Sequence, residues 1–127
     1  MSSEAPYKPS IWTVFRDDCY DAWMHGEEAL HEFTEWLNTL HPTIKFKLEQ
    51  YSKDGVEYLD TYVFSKNNKF CTKIHCKPSD THAYLMPVSC HPLHTIRNIP
   101  SGIALRVRKL SSEQSDYTKS KEDFSLY

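Results

Sequence analysis

The stretch WTVFRDDCYDAW, residues 12–23, sets two aromatic and β-branched runs on either side of Arg16-Asp17-Asp18. Trp12–Phe15 and Cys19–Trp23 have the composition of short strands, and the charged triplet between them that of a tight turn. Along a strand, adjacent side chains point to opposite faces, so two consecutive carboxylates do not ordinarily serve one site. At a hairpin tip that restriction relaxes. Two readings of Asp17-Asp18 follow from the residues: a solvated polar turn, or a carboxylate pair for a hard divalent cation.

Downstream, residues 26–42 read GEEALHEFTEWLNTLHP. Ala29, Leu30, Phe33, Trp36, Leu37 and Leu40 recur at helical spacing, with Glu28, Glu32 and Glu35 on the other face. Glu27 and Glu28 suit the helix N-terminus, and Pro42 marks its stop. Ile44, Phe46 and Leu48 alternate with Lys45, Lys47 and Glu49, the pattern of a strand with one buried face. A turn at Lys53-Asp54-Gly55 precedes a strand through Phe64. Residues 65–69, SKNNK, form a further turn, and FCTKIHC, residues 70–76, a further strand. After Lys77-Pro78-Ser79-Asp80 the chain becomes helical. Pro92 suits the first position of a short helix through Ile99, with an interruption at Pro100-Ser101-Gly102. Residues 103–110 resume the helix, with Ile103, Leu105, Val107 and Leu110 apolar. Ser111 and Gln114 have capping-box spacing for a last helix from Glu113.

The expected fold class is therefore α+β. A flexible arm (1–10) leads into a β-hairpin, a helix and antiparallel strands (11–77). A linker (78–87) then joins a small helical segment (88–127).

The chain has 127 residues, 39% of them hydrophobic, and a net charge of −2. That is enough apolar material for a core and argues against wholesale disorder. The charge is unevenly spread. Asp17 to Glu35 holds seven acids and no Lys or Arg, and Lys66 to Lys77 holds four lysines and no acid. Arg97, Arg106, Arg108 and Lys109 form a later basic cluster. Solvated faces account for this pattern, and so does a metal site beside a polyanion-binding surface. No apolar run approaches the roughly 20 residues of a spanning helix, and the polar start lacks a signal peptide. An intracellular location is expected, with free cysteines. Cys71, Cys76, Cys90, His91 and His94 lack the usual zinc spacing, so ordinary thiols are favoured over a zinc site.

Residues 12–49, followed by VEYLDTYVF at 56–64, resemble the C-terminal half of a reverse-transcriptase palm. KPSDTHAYL at 77–85 and SCHPLHTIRNIPSGIALRVRKLSS at 89–112 are similar to the region after the palm in Penelope-like retroelement reverse transcriptases of animals. That region is described as a helix-turn-helix module. The resemblance covers the chain from about Trp12 onward.

The resemblance implies a partial palm followed by a truncated, helix-turn-helix-like thumb region. It implies Asp17 and Asp18 as the catalytic, Mg²⁺-binding pair, with Asp17 the direct ligand, and it sets Arg16 near the primer end. Tyr58, Leu59 and Asp60 become a primer grip. Lys73, Lys77, Arg97, Arg106 and Arg108 contact the nucleic-acid backbone, although a solvated helix face accounts equally for Arg106 and Arg108. His91 and His94 order the turn before the helix. The partners implied are an RNA template and a DNA primer, with no membrane and no small-molecule substrate. The pattern departs from the family in several respects: no upstream strand supplies a further metal-binding aspartate, nothing matches the fingers or the helix that holds the incoming nucleotide, and nothing resembles the GIY-YIG nuclease that many such elements carry. The expected function is thus a fragment of an RNA-directed DNA polymerase, inactive alone. The alternatives are a nucleic-acid-binding helix-turn-helix module without catalysis, or a decayed retroelement relic.

Overall fold

In a computed structural model of the chain, residues 4–80, 84–85 and 88–125 are described. Part of the expected linker (81–83, 86–87) and the apolar ending Leu126-Tyr127 lie outside them. The chain forms two compact units, Met1–Ser52 and Lys53–Tyr127, dividing upstream of the break expected at 78–87.

In the first unit, β1 (Ile11–Phe15) pairs antiparallel with β2 (Asp18–Ala22). Phe15 and Asp18 form the closing pair, so the turn is Arg16-Asp17 and Asp18 belongs to the ladder. Arg16 takes the positive φ, 52°, that a two-residue hairpin loop requires. Its guanidinium lies over the Phe15 ring, 5.6 Å from the centroid.

Helix α1 (Glu27–Leu40) starts behind Gly26, whose φ of 87° suits glycine. The Trp23 indole donates to the Gly26 carbonyl at 2.7 Å, and Glu27 and Glu28 occupy the first turn. The core of this unit is small: Ala22, Ala29, Leu30 and Phe33 are buried. Three tryptophans ring Phe33, with centroids at 5.2 Å (Trp23), 5.8 Å (Trp36) and 5.9 Å (Trp12). Burial of a side chain such as Phe33 contributes about 1.5–3 kcal/mol.

The strand expected from Thr43 to Glu49 is not formed; these residues join no ladder among the described residues. The alternation survives in part, with Phe46 and Leu48 half-buried and the intervening charges exposed, but Ile44 is 53% exposed. Periodicity specifies a face and supplies no neighbouring strand. The Asn38 side chain stands in for one: its amide donates to the Phe46 carbonyl at 2.9 Å and its oxygen accepts from the Phe46 N–H. Residues 4–10, expected as an arm, make defined contacts. The Tyr7 hydroxyl donates to Glu32 Oε2 at 3.1 Å, and its ring packs edge-on against Trp23. The Ser10 N–H donates to the Ala22 carbonyl at 2.9 Å.

The second unit contains a sheet of order β3 (Gly55–Tyr58), β4 (Thr61–Lys66) and β5 (Lys69–Ile74), antiparallel throughout. Where the residue pattern gives one strand after Gly55, a turn at Leu59-Asp60 makes a hairpin, with Leu59 at φ 55°. Asn67 and Asn68 at φ 50° and 60° form a type I′ connection, which asparagine tolerates.

Helix α2 (Leu93–Leu110) runs unbroken through Pro100, correcting the expected interruption. Proline deprives the Ile96 carbonyl of its amide partner. The stripe of Ile96, Ile99, Ile103, Val107 and Leu110 continues across that point, and Val107 is 1% exposed. Packing of one continuous apolar face overrides the local breaker. Leu105 falls outside that stripe and is exposed, and Pro92 is the N-cap rather than the first helical residue.

Helix α3 (Gln114–Ser125) follows a three-residue connection. The expected capping box is absent, because Ser111 ends α2 and its buried hydroxyl has no partner among the described residues. The Glu113 carbonyl instead accepts from the Tyr117 N–H at 3.2 Å. Ser112 bonds β5 twice: its N–H donates to the Thr72 carbonyl and its hydroxyl accepts from the Thr72 N–H, both at 2.8 Å. Lys66 Nζ meets Glu113 Oε1 at 2.7 Å, completing the attachment.

Candidate functional site

The β1–β2 tip exposes both Asp17 and Asp18. Asp18 opens β2 and shares a face with Tyr20 and Ala22, by strand alternation. Asp21 falls on the opposite face with Cys19. It is half-buried, and desolvation raises its carboxyl above the ordinary 3.8. Burial raises the Cys19 thiol first, and the nearby Asp18 and Asp21 charges add to it. Asp21 is the perturbed carboxylate of this hairpin, and no motif in the sequence marks it. Its parity relative to Asp18 was readable there; its burial was not.

The described residues contain no group of three or more His, Cys, Asp or Glu able to hold a metal. Asp17 and Asp18 offer two hard oxygen donors. That chemistry suits Mg²⁺, which keeps several waters and takes further ligands from substrate phosphates.

The residues expected as a primer grip occupy the β3–β4 turn of the second unit. Asp60 forms an ion pair with Arg106, and its carbonyl accepts from the His75 N–H at 2.8 Å. His75 Nε2 lies 3.3 Å from Glu57 Oε2, and the Thr61 hydroxyl donates to the Tyr58 carbonyl at 2.7 Å. A cleft of about 220 Å³ opens beside them, lined by Asp60, His75, Lys77, Asp80, Tyr84 and Arg106 among others. Burial is the main cause that raises the Tyr84 hydroxyl in this cleft, with Asp80 contributing.

The expected backbone-binding cations are dispersed. Arg106 is engaged by Asp60. Arg108 lies over Tyr117, 5.6 Å from the ring centroid, and Arg97 is exposed. At about 100° per residue, Arg97 and Arg108 share one side of α2, about 16 Å apart, and Arg106 points to the other. Lys73 covers two rings of the sheet: its Nζ is 5.1 Å from the Tyr62 centroid and 5.8 Å from that of Phe64. Charge separates the two units. The first has nine acids against four Lys and Arg, net −5; the second has eight against eleven, net +3.

All four cysteines are free, and burial is the main cause that raises the Cys76 thiol. The Ser89 hydroxyl meets His91 Nδ1 at 2.5 Å, ordering the turn before α2. No helix among the described residues is long and apolar enough to cross a membrane. No protein family, curated protein or solved structure matches the chain.

Proposed function

We propose that this chain is part of an RNA-directed DNA polymerase of retroelement type, spanning the catalytic hairpin, a primer-contacting hairpin and part of the thumb. The observation that carries it is the two-residue turn that exposes Asp17 and Asp18 at the tip of an aromatic hairpin, directly before an amphipathic helix. A β3–β4 hairpin with Tyr58, Leu59 and Asp60 at its turn supports the same order of parts. In this reading Asp17 and Asp18 hold Mg²⁺ weakly, and the 127-residue chain does not polymerise by itself. The net charge of the second unit supplies a salt-sensitive affinity for an RNA–DNA hybrid.

The test has two arms. Mn²⁺, a paramagnetic substitute for Mg²⁺, should broaden the amide signals of Arg16–Cys19, and Asp17→Asn should abolish the broadening. Anisotropy with a labelled RNA–DNA hybrid should show affinity that falls steeply with salt. Unperturbed hairpin signals at millimolar Mn²⁺ would sink the polymerase reading.

Binding without catalysis is favoured by a different observation. The turn expected for a helix-turn-helix at Pro100-Ser101-Gly102 does not exist, because α2 runs through it, but helices α2 and α3 meet through three residues, Ser111–Glu113, a connection length that such modules use. Hybrid affinity with no response at the hairpin would select this second reading.

A further inference from the structure

We infer that one face of the β3–β4–β5 sheet is a stacking platform for unpaired nucleic-acid bases, with Tyr62 and Phe64 as its rings and Lys73 and Lys69 as its phosphate contacts. This goes beyond the polymerase reading, which assigns no base-stacking residue.

Strand register defines the face. Tyr62 pairs with Lys73 and with Glu57, Phe64 pairs with Cys71 and Gly55, and Lys66 pairs with Lys69. All these side chains therefore project from one side of the sheet. The Tyr62 and Phe64 rings lie near-parallel, 27° apart, with centroids separated by 6.1 Å. Gly55 leaves room beneath the tyrosine: a Cβ there would sit 2.7 Å from Tyr62 Cζ and Oη. Two rings are thus set side by side, and Glu57, Lys66, Lys69 and Lys73 around them are exposed.

Charge complementarity selects the occupant. The segment from Lys66 to Lys77 has four lysines and no acid. Of these, Lys66 is held by Glu113, Lys73 lies over both rings, and Lys69 shares their face of the sheet by register. Aromatic rings interleaved with lysines match a polyanion whose repeating units carry flat faces, and single-stranded nucleic acid has that composition. A duplex keeps its bases stacked inside and offers no face to Tyr62 or Phe64. In the free protein the Lys73 ammonium occupies the ring faces. A base would displace it, and the released ammonium would lie beside the phosphate of the same nucleotide.

The test uses the full chain and a dT12 strand. Photocrosslinking with a 5-iodouracil-substituted strand should modify Tyr62 or Phe64. By anisotropy, the double variant Tyr62→Leu, Phe64→Leu should bind the single strand about tenfold or more weakly, with binding to a 12-base-pair duplex unchanged. Leucine keeps the apolar cover and removes the stacking face, and far-UV circular dichroism verifies the fold. Crosslinks confined to other segments, or equal affinity of the folded double variant, would overturn the inference. If the variant does not fold, the crosslinks to the unaltered chain decide. Neither measurement involves Asp17. Platform crosslinks with no hairpin response to Mn²⁺ would remove the polymerase reading alone, and the converse result would remove the platform alone.

Discussion

Gly55 combines a backbone and a neighbourhood that other residues do not fit. Its φ of 154° is rare for L-residues, and an added Cβ would meet the Val63 carbonyl at 2.7 Å. Gly55→Ala should cost about 1–3 kcal/mol, read as a lower urea midpoint. Asp21 gives a pH signature. A carboxyl raised above 3.8 by burial stabilises the fold fully only below that value, and loses the contribution as pH rises through the raised value. Asp21→Asn should therefore be more stable than the parent at pH 7, by well under about 1 kcal/mol after screening. The gap should close as the pH falls towards 3.8 in thermal melts. Asp60 restrains Arg106 through an exposed ion pair, with side chains 62% and 56% exposed. Such a pair adds little stability. Asp60→Asn should leave the melting temperature within about a degree or two, yet raise affinity for an RNA–DNA hybrid and steepen its salt dependence by roughly one ion.

At the level of elements, Pro100 is the clearest point of tension. It sits inside α2 without a donor for the Ile96 carbonyl. Pro100→Ala should stabilise the chain by about 1–3 kcal/mol in urea titrations. A loss of stability would mean that the helix depends on the shape proline imposes. This site also shows what the sequence made legible. The hairpin at Arg16-Asp17, helix α1 and the Asn67-Asn68 turn follow from local composition, and all are present. Pro100 and Gly102 carried a strong local stop signal, but the apolar stripe running through them is a tertiary property and it prevailed. Residues 43–49 failed in the opposite way: their alternation holds as a face only at Phe46 and Leu48, and a strand exists only where another strand receives its hydrogen bonds. The fate of Arg106 was invisible for a related reason. Its partner Asp60 lies 46 positions away, and no local pattern pairs the two.

For the molecule as a whole, the charge division matters most. The acidic and basic groups fall in different compact units, net −5 and +3. Contact with nucleic acid should therefore concentrate on Lys53–Tyr127. Acetylation footprinting in the presence of a dT12 strand should protect Lys69 and Lys73 and leave Lys8, Lys45 and Lys47 as reactive as in the free chain. Protection of the three lysines of the first unit would show that the net charge of that unit does not set its behaviour.

The bonds between Ser112 and Thr72 bear on a hazard of small sheets. A bare outer strand is a template on which another chain can grow, and growth from both sides of a sheet leads to filaments. The α2–α3 connection occupies the middle of β5 and takes up the Thr72 donor and acceptor that an incoming strand would use. Addition of a strand along β5 is thereby closed off at its middle, and the sheet is held to its three strands on that side.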